Sequence, residues 1–194
     1  MIKCLWCGQP QSVFNCLEFY LSYREINNQI FCKSCKSKLD IITITNSCAG
    51  CCRPTESSDS FCLDCKMWLK KYSKTTVNHH ALFKYNDFAK EIMKQFKYQG
   101  DYILAHGFVN ILRQIIQTRY SEYVICPIPS NQSNYIKRGF IPTECLLFTA
   151  GIPYTSLLKK VGKGSQAERK RKDRLGISQP FELIEGIEIP SKIL

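Results

Sequence analysis

Cys4-Leu5-Trp6-Cys7, Cys32-Lys33-Ser34-Cys35, Cys48-Ala49-Gly50-Cys51 and Cys62-Leu63-Asp64-Cys65 are the four stretches whose reading decides the first part of this chain. Each is a Cys-x-x-Cys knuckle, a spacing that brings two thiolates to one metal ion while backbone amides hydrogen-bond the sulfurs. Two knuckles complete a tetrahedral site, so four predict two Cys4 zinc sites. Sequential pairing joins Cys4, Cys7, Cys32 and Cys35 at one ion, and Cys48, Cys51, Cys62 and Cys65 at the other. Cross-bracing is the alternative. With cysteine at every position and none open to water, both sites read as structural rather than catalytic. In a region this short, metal binding is the main source of stability, about 10–16 kcal/mol per site in small finger peptides.

The redox setting follows from the same residues. The opening Met1-Ile2-Lys3-Cys4-Leu5-Trp6-Cys7-Gly8 contains no apolar run of the kind that directs export, so a cytoplasmic location is expected. Twelve cysteines in a reducing compartment point to metal ligation, with a disulfide framework as the competing reading. Cys52 is a neighbour that could compete with Cys51 as a ligand, or else a packed or surface thiol. Cys16, Cys126 and Cys145 read as packed thiols, which behave as small hydrophobes. His79 and His80 read as strand-edge residues, because the thiolates already account for two ions.

The formal charge of +11 is unevenly distributed: residues 1–75 carry +4, 76–158 carry +3, 159–174 carry +6 and 175–194 carry −2. Each Cys4 zinc site adds a net charge of about −2, which would bring residues 1–75 to about neutral. Positive charge then concentrates in the Lys159–Arg174 run, which should attract phosphates or nucleic acid. No apolar run reaches the roughly 20 residues of a membrane helix, so no membrane span is expected.

The chain divides near residue 75, with Ser73-Lys74-Thr75-Thr76 as a linker. A double zinc module is expected over 1–75 and an α/β domain over 76–194. The two pairs of knuckles also suggest a loose internal duplication. Beyond the linker, Ala81–Tyr85 reads as a strand, and Asn86 or Asp87 caps a helix with Phe88, Ile92 and Phe96 on one face, ended by Gly100. A second helix uses Leu104, Phe108, Leu112 and Ile115. Then come a strand over Tyr123–Cys126, a turn at Pro127–Ser130, a polar loop, a helix over Pro142–Ala150 and a strand over Tyr154–Leu158, which together suggest a parallel β-α-β unit. Phe181–Ile184 reads as an edge strand, and another strand begins at Lys192.

Lys137-Arg138-Gly139-Phe140 follows the Pro127–Ser130 turn, where backbone amides and an arginine can hold phosphate at the end of a parallel strand; a solvated loop is the plainer reading. The Lys159–Arg174 run contains Gly162, Gly164 and Ser165, as a mobile basic loop would, and a solvated charged helix over Gln166–Arg174 is the alternative.

The cysteine knuckles, Phe83-Lys84-Tyr85, Phe96-Lys97-Tyr98-Gln99-Gly100-Asp101, Pro127-Ile128-Pro129, Arg138-Gly139-Phe140 and the stretch Gln166–Leu175 together resemble the ComF family of competence proteins over essentially the whole chain. The resemblance implies an N-terminal Cys4 zinc module followed by a phosphoribosyltransferase-type parallel sheet. It also implies a role in handling single-stranded DNA with the DNA-uptake machinery during natural competence. It assigns phosphate binding to Ser130, Arg138, Gly139, Gln166 and Arg174. Lys137, Arg138, Lys170, Arg171 and Lys172 are the expected nucleic-acid contacts, with Tyr135 and Phe140 placed to stack bases. The family's ribose-phosphate motif, a strand ending in two acids before Thr-Thr-Gly, does not occur in the sequence. The second domain is therefore expected to be incomplete at its C-terminus, and the leading functional expectation is an accessory binding protein. The alternatives are a phosphoribosyltransferase using phosphoribosyl pyrophosphate and magnesium, which needs that motif, and a non-functional fragment of an interrupted gene.

Overall fold

The computed structural model describes residues 2–11, 30–42, 47–55, 60–72, 79–161 and 180–194, and it mixes helices with short sheet segments. Its contacts group into two compact units, residues 31–92 and residues 1–30 with 93–194. The linker at 73–76 lies outside the described residues.

In the 31–92 unit, helix α1 (Lys33–Ser37) and helix α2 (Leu63–Lys71) each begin directly after a cysteine, Cys32 and Cys62. Helix α3 (Asp87–Lys94) starts where sequence placed it: Asn86 Oδ1 accepts the Ala89 amide at 2.9 Å, the side-chain cap that an asparagine supplies. Ala89 and Ile92 are buried on one face of this helix. The expected strand over Ala81–Tyr85 reduces to one antiparallel bridge, Phe83 to Ile41, flanked by Ile42 N to Leu82 O at 3.1 Å and Lys84 N to Asp40 O at 2.8 Å. That pairing is too short to count as a strand.

The other unit opens with strands β1 (Ile2–Lys3) and β2 (Pro10–Gln11), which pair antiparallel. From residue 93 on, a π turn over Gln95–Gln99 ends at Gly100, whose φ of 78° is a left-handed conformation that glycine adopts without steric cost. A 3₁₀ segment (Tyr102–Phe108) then leads into helix α4 (Val109–Arg119). Helix α5 (Gln132–Arg138) occupies what the sequence reading left as a polar loop, and helix α6 covers Pro142–Thr149. Strands β3 (Leu158–Lys160) and β4 (Phe181–Leu183) pair antiparallel.

Residues 124–126 are hydrogen-bonded along both edges. On one edge Val124 N donates to Lys192 O (3.0 Å), Leu194 N to Val124 O (3.0 Å) and Cys126 N to Leu194 O (2.8 Å), in a parallel pairing of Val124 with Ile193. On the other edge Thr155 N donates to Ile125 O at 2.9 Å. Ile125 projects into a core with Leu147, Ala150 and Ile152, against which Val109, Leu112 and Ile116 pack. Arg113 Nε donates to Ala150 O at 2.6 Å, placing a cation on the C-terminal carbonyls of α6, where the helix dipole favours it.

Phe96 is fully buried and its ring meets Phe140 at 5.3 Å between centroids. Phe96→Ala should therefore remove about 3–5 kcal/mol of stability. A fall of roughly 6–20 °C in the thermal midpoint, followed by circular dichroism, is the expected reading. An unchanged midpoint would show that this aromatic packing does not support the fold.

Candidate metal centres

The knuckles come in two structural kinds, distinguished by the backbone conformation of the residue after the second cysteine. In Cys4–Cys7 the chain turns back so that Gly8 N donates to Cys4 O (2.9 Å) and Cys4 N to Gln9 O (2.9 Å), with Gly8 at φ 69°. Cys48–Cys51 repeats this turn: Cys52 N donates to Cys48 O (2.8 Å) and Cys48 N to Arg53 O (2.8 Å), with Cys52 at φ 56°. Cys32–Cys35 and Cys62–Cys65 instead open helices, with Lys36 N on Cys32 O at 2.9 Å and Lys66 N on Cys62 O at 3.0 Å. Even the strut between kinds recurs, Leu5 N to Ile30 O at 2.9 Å and Ala49 N to Ser60 O at 2.8 Å. The matched hydrogen bonds support the internal duplication suggested by the cysteine spacing.

The sulfurs of Cys4, Cys7, Cys32 and Cys35 lie within 4.8 Å of one another, as do those of Cys48, Cys51, Cys62 and Cys65. This is the sequential pairing. A tetrahedral ion with sulfurs at about 2.3 Å requires edges of about 3.8 Å. Cys51 Sγ and Cys62 Sγ are 3.8 Å apart, so the second cluster already has a tetrahedral edge of the right length. Backbone amides aim at the sulfurs in the way that thiolate ligation requires, Cys62 N to Cys48 Sγ at 3.2 Å and Cys35 N to Cys32 Sγ at 3.4 Å. No disulfide joins the described cysteines. Eight thiols in two such groups fit a divalent metal with a preference for sulfur, and could hold one ion each.

Electrostatics separates the four thiols of the second cluster. Burial pushes the Cys48 thiol up, but the amides of Cys62, Cys51 and Gly50 outweigh it and bring its pKa down to about 6. Cys51 is raised, chiefly by burial, and Cys65 is raised strongly by burial and by hydrogen bonding to the other three sulfurs. One site thus favours its thiolate while two hold their protons. Gly50 leaves room for the cluster: a β-carbon there would stand 3.0 Å from Cys65 Sγ, so the sulfur would have to shift by a few tenths of an ångström.

Cys52 lies outside both clusters. Its Sγ is directed to His79 O at 2.8 Å, and His79 returns Nδ1 to Cys51 O at 3.2 Å. The histidine and the extra cysteine therefore brace the knuckle turn from outside. Cys145 is part-buried and its thiol is raised by desolvation, as expected of a packed cysteine. Cys16 lies outside the described residues.

Of the expected phosphate and nucleic-acid residues, Gln166, Lys170, Arg171, Lys172 and Arg174 lie outside the described residues. Ser130 is half-buried just before Asn131, whose Oδ1 accepts Ser133 N at 3.1 Å and caps α5. Lys137 is exposed in the last turn of α5, and Gly139 is its left-handed C-cap at φ 77°. Arg138 lies over the Tyr98 ring, 5.1 Å from its centroid. Phe140 is occupied by packing against Phe96 and Tyr102, whereas Tyr135 is exposed. Sequence reasoning gave no role to Lys97, Tyr98 or Tyr102, which sit beside these residues. The signal available was the run of polar and aromatic residues ahead of Gly100, which breaks the period of the preceding helix.

Comparison with known proteins matches two curated relatives over much of the chain. The Competence protein ComFC of Streptococcus pneumoniae (strain ATCC BAA-255 / R6) is 34% identical over 193 residues, covering all of this chain and 84% of the relative. The Competence protein ComFC of Bacillus subtilis (strain 168) is 28% identical over 148 residues, 74% of this chain and 61% of the relative. No family model and no solved structure matches. With paired Cys4 clusters, a mixed helix and sheet fold and a similarity of this extent, the chain belongs to the ComF family of competence proteins.

Proposed function

We propose that this protein binds two zinc ions in a module over residues 1–75 and acts in DNA uptake by binding single-stranded DNA, with the basic residues of 76–194 as its contact surface. The observation that carries the competence role is the match to Competence protein ComFC along the whole chain. The four-sulfur clusters support zinc, since soft thiolates in tetrahedral array select it over hard cations. The localised positive charge supports a polyanionic partner. Among the described residues no helix is long and apolar enough to cross a membrane. We further propose the cytoplasm as the place of action, where thiolates remain available to metal.

Four ligands must give up their protons to bind zinc. At neutral pH Cys48 has largely done so, while Cys51 and Cys65 have not, so loading the second site expels at least two protons. Acidification opposes loading, and below about pH 6 Cys48 adds its own proton to the competition. Elemental analysis of purified protein should give two zinc ions per chain. The apparent affinity should drop by at least about a hundredfold per pH unit between 8 and 6, and more steeply below. A preparation that is folded and free of metal would refute the zinc assignment.

Binding of single-stranded DNA should weaken steeply as salt rises. Neutralising Lys170, Arg171 and Lys172 together should lower the salt slope by about 2, at about 0.7 per phosphate contact on a single strand. No binding at low salt would remove the DNA reading and leave a protein partner of the uptake machinery.

One observation favours a second reading, a phosphoribosyltransferase using magnesium. Val124 pairs parallel with Ile193, and the Pro127–Ser130 turn leaves the C-terminal end of that strand, where open α/β sheets hold their ligands. Phosphoribosyl pyrophosphate with magnesium should then raise the thermal midpoint, and Arg138→Ala should abolish the rise. No shift at millimolar ligand would end this reading.

A further inference from the structure

The π turn Gln95–Gln99 and the end of α5 display a set of residues for which the fold itself has no use. Phe96 turns inward and is fully buried, whereas Lys97, Tyr98 and Gln99 follow it as three consecutive exposed residues. Single π turns of this kind recur at functional sites, because the extra residue re-aims the side chains around it. Phe140 packs on Phe96 at 5.3 Å, and Tyr102 meets Phe140 edge-on at 6.4 Å. These contacts hold the π turn and the Arg138-Gly139-Phe140 segment in fixed relation, so the surface they share is pre-organised.

That surface consists of two cations and two open rings. The Arg138 guanidinium lies 5.1 Å from the Tyr98 centroid, yet Tyr98 remains 62% exposed and Tyr102 59% exposed. Desolvation, and after it the Arg138 charge, pushes the Lys97 ammonium below the usual lysine range even though the residue as a whole is exposed. Among the described residues neither cation is in an ion pair; the carboxylates that are paired serve Arg53, Lys84, Lys159 and Lys192. Two like charges held together without a counter-charge favour an anion between them. Exposed tyrosines alone are ordinary, but rings beside paired cations match a strand in which phosphates alternate with unpaired bases.

We infer that Lys97, Arg138, Tyr98 and Tyr102 form a contact site for single-stranded nucleic acid, with a phosphate held by the two cations and a base stacked on the tyrosine face. The inference rests on the DNA-binding reading above and adds residues outside the Lys159–Arg174 stretch of the sequence. It also moves the stacking role from Phe140, whose ring is taken up by internal packing, to Tyr98 and Tyr102.

The test uses the full zinc-loaded chain and fluorescence anisotropy with an end-labelled oligothymidylate of about 20 nucleotides, measured across a salt series. Lys97→Gln, at an exposed position, should weaken binding and lower the salt slope by about 0.7. Tyr98→Ala should weaken binding about tenfold, while Tyr98→Phe should keep near wild-type affinity. The same sequence as a duplex should bind more weakly. If the wild-type chain binds the oligonucleotide but Lys97→Gln and Tyr98→Ala match it in affinity and slope, the site is wrong and the DNA reading survives. Equal binding of duplex and single strand would overturn base stacking at this site. A wild-type chain that does not bind at low salt removes both the reading and the site.

Discussion

Four sulfurs within 4.8 Å of one another are the constraint on which the N-terminal half of this protein depends. Thiolates at such separations repel, and without a cation the cluster resolves the conflict by keeping protons on Cys51 and Cys65 while Cys48 ionises. A divalent ion at the centre removes the conflict and lets all four ionise. The consequence for the surrounding chain is clearest in α2, none of whose residues is buried: Leu63 is 79% exposed and Met67 63%. Hydrophobic packing therefore does not hold this helix. Its attachment is through Cys65 in its first turn and Cys62 just ahead of it, both ligands in the cluster, with Arg53 paired to Asp64 at 2.9 Å as an exposed and minor addition.

The cysteine clusters were legible in the sequence because Cys-x-x-Cys spacing is local and chemically restrictive; the choice between sequential and cross-braced pairing was not, because it rests on contacts across loops of 24, 12 and 10 residues, and the structure gives the sequential grouping. The turn type was not anticipated. Gly8 suits a left-handed residue, but Cys52 takes the same conformation at φ 56°, and a side chain there costs roughly 1–2 kcal/mol relative to glycine. The bonds from Cys52 Sγ to His79 O and from His79 Nδ1 to Cys51 O offset part of that cost. These are contacts between residues 27 and 28 positions apart, which no spacing rule exposes.

In the C-terminal part, helices with a strong apolar period were readable, and those without one were missed. Ile92, Phe96, Leu104 and Phe108 mark buried faces in the expected places. Helix α5 escaped because it has no buried residue; only its caps, Asn131 and Gly139, announce it. The strand expected over Tyr154–Leu158 shifted to Leu158–Lys160 because regular pairing with β4 begins there, while Thr155 gives its amide to Ile125 instead. Strand limits are set by the partner, and a single sequence does not show the partner. Val124 and Ile193 form a single parallel bridge, while the named strands pair antiparallel in two-stranded sheets.

Charge is unevenly spread between residues 1–75 and residues 76–194. Two Cys4 zinc sites would bring residues 1–75 to about neutral and leave a net charge of about +7 on residues 76–194. A polyanion would be drawn to the second group, and within it the Lys159–Arg174 run is the strongest attractor at long range. Long-range attraction, however, does not distinguish one polyanion from another. Stacking on the open face of an unpaired base calls for flat aromatic rings, and the Lys159–Arg174 run contains no aromatic residue. Tyr98 and Tyr102 near Arg138 are exposed rings of that kind, with Phe96 and Phe140 packed together beside them. In the proposed reading the basic run would raise the local concentration of strand and the aromatic surface would select unpaired bases.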